Sequence, residues 1–252
     1  MIVLRNSKEL EGLALAGRIS AHALKAAKDM IRPGVTTDEL DARMREYILS
    51  QKAEPDFLGE DGYPKTACIS INEEIIHGIP GPRVIKDGDI VSIDVGARID
   101  GWDGDNAYTF MVGNVDPESR KLCEVTRECL MRGISKAKKG NRLGDIGHAV
   151  QSYAEENGFS VIRDYVGHGV GHTLHEDPEV PNYGAEGRGL RLAPGMVIAI
   201  EPMIAAGDYE IDTLDNGWTV VTADGSRAAH YEMTVAVTED EPLILSDWRE
   251  LL

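Results

Sequence analysis

A chain of 252 residues can hold one large domain or two small ones and bury a substantial core. Its hydrophobic content of 42% and charged content of 27% are those of an ordinary globular protein. The formal charge of −17 argues against a nucleic-acid binder, which needs a basic surface to release counterions, and implies a solvated acidic surface instead.

The opening MIVLRNSKELEG carries only a short apolar run before Arg5, too short for a signal peptide, and no later run approaches a membrane span. Leu10, Leu13, Ala14 and Gly17 recur at helical spacing and predict a helix over 7–31, stopped by Arg32-Pro33-Gly34. A second helix is expected from Thr37, with its hydroxyl as the cap, to about Gln51. Residues 117–139 and 143–157 read as another helix pair, broken at Lys139-Gly140. Cys68, Cys123 and Cys129 form no CxxC pair and fit a reduced, cytoplasmic interior.

The two helix pairs align with each other. Gly34, Leu40 and Tyr47 match Gly140, Ile146 and Tyr153, and the following KDGDIVSID (86–94) lies over APGMVIAIE (193–201). Asp94 thereby falls on Glu201, which suggests a pseudo-twofold site between two halves, about 7–112 and 117–238. No Pro/Ser-rich linker separates them, so the expectation is one domain over 1–252.

Residues 90–105 read as a β-hairpin turning at Asp100-Gly101. Position 105 then opposes position 96, which shares a face with 94, making Asp94 and Asp105 diagonal neighbours roughly 7–8 Å apart at Cα. Two carboxylates aimed into an apolar fold repel each other and resist ionisation unless cations neutralise them. The competing reading is a pair of surface aspartates near a turn, and the apolar VSID setting of Asp94 weighs against it.

The run V166-G-H168-G-V-G-H172-T-L-H175-E-D-P invites a reading of His168 and His172 as a helical i, i+4 zinc pair. Gly167, Gly169 and Gly171 count against a helix, and a strand or loop presenting His168 and His175 separately fits better. His22, His148 and His230 are assigned structural roles, and His172 is left open. Glu201 ends the apolar VIAI directly before Pro202, and Glu232 interrupts a strand pattern over 231–238. A charge at such a place is seldom buried unless paired or metal-bound. Four carboxylates and one imidazole suit two divalent ions such as Mn, Fe, Co or Zn rather than a thiolate zinc site.

These motifs together resemble type I methionine aminopeptidases of the pita-bread fold over nearly the whole chain. The segments that carry the resemblance are 62–80 (GYPKTACISINEEIIHGIP), 87–96 (DGDIVSIDVG), 100–110 (DGWDGDNAYTF), 166–178, 198–203 (IAIEPM) and 231–239 (YEMTVAVTE). The resemblance implies an α+β fold, a curved antiparallel sheet with outer helices. It implies the metal ligands Asp94, Asp105, His168, Glu201 and Glu232, with Asp105 and Glu232 bridging two ions, Asp94 on one, and His168 and Glu201 on the other. His77 and His175 would flank the scissile bond, His175 polarising the carbonyl and His77 holding the peptide backbone. Glu201 would also shuttle the proton. Tyr63, Cys68, Leu174 and Trp218 would line a pocket for the methionine thioether.

Only 25 residues separate His175 from Glu201, which leaves no room for the helical insertion of type II enzymes. An Xaa-Pro aminopeptidase or prolidase, which should carry an N-terminal domain and further histidines, and a non-catalytic pita-bread binding protein are the competing readings. Leu174, Asn106, Phe57 and Glu60 depart from residues commoner in relatives, which bears on substrate preference. The expected partners are N-terminal methionyl peptides and nascent chains, with no membrane and no DNA, and the expected state is a monomer. The stretch 208–226 holds five acidic residues and no Lys or Arg. Ribosome contact is therefore expected to be weak, or to run through Lys136, Lys138, Lys139 and Arg142.

Overall fold

A computed structural model describes residues 1–252. Helix α1 (Ser7–Lys28) starts at Asn6, whose side chain accepts from the Lys8 and Glu9 amides while Glu9 reaches back to the Asn6 amide. That reciprocal cap satisfies donors a helix start leaves open. The helix stops short of residue 31 because Pro33 disfavours helical geometry at Arg32, and the Gly34 amide turns to donate to the Ile85 carbonyl.

Helix α2 (Thr37–Ser50) is capped by Thr36, not by Thr37 as the sequence suggested. Thr36 and Glu39 form the reciprocal pair, and the spacing Thr-x-x-Glu was its signal. The Thr37 hydroxyl is spent on Gly81, donating to its carbonyl (3.0 Å) and accepting from its amide (2.9 Å). Helix α3 (Pro117–Lys136) starts at an Asp116 cap with proline in its first turn. It ends before 139 because the Lys139 amide pairs with the Thr238 carbonyl, and α4 (Leu143–Glu156) follows.

The strands pair antiparallel. Strand Ile90–Ile99 is the centre of one sheet, with Trp102–Met111 along one edge and Ala67–Ile71 and Glu54–Pro55 along the other. A second sheet runs in the order Leu243–Ile244, Met233–Ala236, Val197–Ile200, Gly167–Gly169, Glu176–Val180. The two meet where the Glu232 amide donates to the Ala107 carbonyl (3.0 Å) and the Thr234 hydroxyl to the Asp105 carbonyl (2.9 Å). The result is a curved antiparallel surface with helices outside it, the pita-bread arrangement.

A core of 47 buried residues fills the space between helices and strands. From α1 it takes Ile19, Ala23, Leu24 and Ala27, one stripe at helical spacing, and a leucine buried so fully is worth roughly 1.5–3 kcal/mol. Helix α1 lies so near the hairpin that a Cβ on Gly104 would run into the backbone of Ala16 and Gly17. Gly104 precedes Asp105, so this contact also seats a site residue. Gly104→Ala should therefore cost about 1–3 kcal/mol or more by overpacking. Urea unfolding followed by circular dichroism measures the cost, and an unshifted midpoint would show that α1 lifts freely.

Candidate active site

The hairpin register is the one its turn dictates: Gly96 opposes Asp105, and Asp94 opposes Ala107. Asp94 and Asp105 thus point from the same face of neighbouring strands. Glu232 reaches them because its amide is bonded to Ala107 on the same strand. His168 comes from the middle of the three-residue strand Gly167–Gly169, held between Glu176–Val180 and Val197–Ile200. Glu201 follows Ile200 at the end of that neighbour, one residue before the proline that stops it.

The side chains converge. His168 Nε2 lies 3.6 Å from Asp105 Oδ2 and 3.5 Å from Glu201 Oε1. Ligand atoms of Asp105, His168 and Glu232 fall within 4.8 Å of one another, a group able to hold a metal ion. His168 Nδ1 sits 2.9 Å from the Gly169 carbonyl, so that nitrogen carries the proton and Nε2 keeps a lone pair for a cation.

The electrostatics of the cluster favour neutralisation, by protons or by a cation. Asp105 is 3% exposed and Glu232 1%, and Asp94 Oδ1, Asp105 Oδ1 and Glu232 Oε1 have no hydrogen-bond donor. Burial, and then repulsion from the neighbouring carboxylates, pushes the carboxyls of Asp94, Asp105, Glu201 and Glu232 well above their ordinary range. No Lys or Arg lines the pocket to offset them. Burial also pushes His168 down to about 4, which keeps it neutral and available as a ligand. Acceptor-only oxygens without donors, around a neutral imidazole, fit divalent ions with oxygen-rich coordination.

Above this floor opens a cavity of about 580 Å³, bordered by His77, Leu174, His175, Trp218, Tyr63 and Cys68 among others. Phe57, Tyr63, Cys68 and Leu174 form a small buried apolar cluster of their own, with Ile79 and Trp218 packed against it. The Tyr63 hydroxyl donates toward the Ala67 and Gly78 carbonyls (3.1 and 3.0 Å), and its ring meets Trp218 edge-on at 5.1 Å. Phe57 is admitted by Gly96, where a Cβ would come within 2.6 Å of its ring. Ile79 carried no signal in the sequence, being one apolar residue among many.

His175 lies against His168, ring centroids 4.4 Å apart, and His77 packs edge-on to Tyr165 and Trp218. His77 is held at φ 57, in the left-handed region that bulky residues avoid. Burial lowers the pKa of both, His77 to about 4, so both imidazoles are neutral donors near pH 7.

The histidines set aside in the sequence divide here. His22 stacks on Tyr47 at the surface, and His148 is exposed. His172 is also outside the pocket, stacked on Trp102 at 3.8 Å with Nδ1 2.7 Å from the Gly101 carbonyl. His230 does not play the satisfied structural role assigned to it. Its side chain is 1% exposed and its Nε2 has no hydrogen-bond partner, facing Glu201 Oε2 at 3.6 Å. The available signal was its position two residues before Glu232. Asn106, by contrast, turns away from the cavity and donates to the Ser20 hydroxyl of α1 (2.6 Å), so it touches helix packing and not the pocket.

A cation-seeking floor beneath an apolar slot, with neutral imidazoles beside it, defines a metal-dependent hydrolase. Residues 11–239 match metallopeptidase family M24, and the chain belongs to that family. A methionine aminopeptidase of Clostridium perfringens is 52% identical over 98% of this chain and 99% of its own length. Methionine aminopeptidase 1 of Bacillus subtilis is 51% identical, covering 95% of this chain and 96% of that relative. The crystal structure of methionine aminopeptidase from Thermotoga maritima superposes with a TM-score of 0.96 at 46% identity, covering 98% of this chain and all of that one. The prolidase from Pyrococcus horikoshii OT3 shares the fold, with a TM-score of 0.79 at 24% identity, but this chain spans only 66% of it.

Proposed function

We propose that the protein removes N-terminal methionine from newly made proteins and peptides whose second residue is small. The observation that carries this is the floor of unpartnered buried carboxylates around the free Nε2 of His168, directly under the Phe57, Tyr63, Cys68, Leu174 and Trp218 slot. The similarity to methionine aminopeptidases over nearly the full length supports it. Asp94, Asp105, His168, Glu201 and Glu232 would hold two divalent ions (Co, Mn, Fe or Zn). Such ions supply an acidified water and a polarised scissile carbonyl.

The chain's own groups do the rest. The apolar slot takes the methionine side chain, whose thioether suits aromatic edges. His77 donates to the peptide backbone and holds it. His175 donates its N–H to the carbonyl oxygen as negative charge develops there. Glu201 takes the proton from water and returns it to the leaving amine. The same reading has one catalytic domain over 1–252 with two pseudo-symmetric halves. The matched backbone of its glycine pairs supports this, Gly34 and Gly140 both at φ 96, Gly88 at 90 and Gly195 at 91.

The reading also places the protein in the cytoplasm as a monomer that meets ribosomes weakly, or through the turn that carries Lys136, Lys138, Lys139 and Arg142. Lys138 pairs with Glu241 (3.5 Å) and Lys139 with Glu239 (2.7 Å), which offsets two of the four positive charges of that turn. None of the four helices is long and apolar enough to cross a membrane.

Release of methionine from Met-Ala-Ser, with and without Mn or Co, tests the function. Activity should vanish in chelator and in Asp105→Asn, and a fully active Asp105→Asn protein would remove the metal reading. His175→Ala should lower kcat about 10²–10³-fold with KM little changed, the usual loss for an oxyanion donor. A drop of only a few-fold would place His175 outside the reaction. Sedimentation with ribosomes at roughly 50 and 200 mM salt should show weak, salt-sensitive association. Tight binding that survives neutralising Lys136, Lys138, Lys139 and Arg142 would contradict it.

A further inference from the structure

His230 has no part in the chemistry above, yet its place is closely defined. Its backbone is held on two sides. The amide donates to the Thr109 hydroxyl (3.0 Å), the carbonyl accepts from that same hydroxyl (2.7 Å), and His230 pairs with Met203 in a short strand. The ring is buried and does not border the cavity, so it cannot touch the substrate. Its Nε2 has no hydrogen-bond partner, and the carboxylate it faces is Glu201, at 3.6 Å from Oε2. A buried ring nitrogen left unpaired loses its hydration without compensation, so a partner is expected.

Glu201 itself stands between two imidazoles. Oε1 faces His168 Nε2 at 3.5 Å, and Oε2 faces His230 Nε2. The Asn182 amide anchors its backbone carbonyl (3.0 Å), but no other hydrogen-bond donor orients the carboxylate. His168 turns a lone pair toward Oε1, because its proton is on Nδ1. A hydrogen on Nε2 of His230 would bring the opposite interaction to Oε2. The gap exceeds a formed hydrogen bond, and a shift of roughly 0.5 Å closes it.

We propose that His230 is a positioning residue. It donates Nε2–H to Glu201 Oε2 and so turns Oε1, the oxygen beside His168, toward the metal cage. The assignment rests on the metallopeptidase reading. Groups that orient a metal ligand from behind commonly set affinity by 10–100-fold.

The test is Mn(II) affinity of the full chain stripped of metal, measured by titration calorimetry, with thermal melting of the metal-free protein as the check on folding. His230→Ala should bind Mn(II) about 10–100-fold more weakly than the wild type. His230→Gln, whose amide presents a donor close to the Nε2 position, should recover to within about three-fold. Should the alanine variant not fold, His230→Asn, polar but too short to reach Glu201, must show the same loss. Unchanged affinity in Ala or Asn overturns the proposal. So does an equal loss in Gln, which would mean that His230 binds the ion itself or only fills space. A wild-type protein that binds no Mn(II) would instead remove the metallopeptidase reading from which the proposal starts.

Discussion

Repulsion among four carboxylates crowded into one pocket floor is the constraint on which the rest of this structure depends. Each ionised carboxylate taken out of water costs roughly several kcal/mol unless compensated. Asp94, Asp105, Glu201 and Glu232 have neither an Arg nor a Lys beside them, and three of them carry an oxygen with no donor. The fold does not relieve this strain by letting the carboxylates turn outward. The hairpin register points Asp94 and Asp105 the same way, and the Glu232 and Thr234 bonds to Ala107 and Asp105 lock the second sheet against the first. Helix α1, pressed against Gly104, prevents the hairpin from backing away. A rigid frame thus holds groups that would separate if free, which is how a site pre-organised for cations is built.

Recognition of the substrate side chain is physically distinct from that frame. The apolar slot is a separate small cluster, joined to the floor through Cys68, which opposes Asp94 in register, and through Leu174, which precedes His175. Phe57, Glu60, Asn106 and Leu174 therefore act unequally. Phe57 and Leu174 shape the slot, and exposed Glu60 stands at its mouth. Asn106, next to a proposed ligand in sequence, lies on the opposite face of its strand and packs on Ser20.

Much of this was legible in the chain. Period-two alternation with a two-residue Asp-Gly turn placed Asp94 and Asp105 on one face, because strand geometry leaves no other choice once the turn is set. Three glycines around His168 ruled out a helix and left a short strand. Helix ends were less legible. The Thr36-x-x-Glu39 spacing marks Thr36 as the cap, whereas the role of the adjacent Thr37 hydroxyl is set by Gly81, 44 residues away. The ends of α1 and α3 likewise depend on partners at Ile85 and Thr238.

By itself the sequence determined the four helices, though not their ends, the hairpin register and a set of candidate residues for binding a cation, since these follow from local backbone preference and side-chain chemistry. The tertiary structure alone decided what those residues face. His230 shows the difference: its place two residues before Glu232 puts it near the site, but that its Nε2 meets Glu201 is decided by packing between separate segments. Burial, and with it every perturbed titration in the site, is likewise a property of the assembled fold. Desolvation depends on neighbours from distant parts of the chain, and no local pattern encodes it.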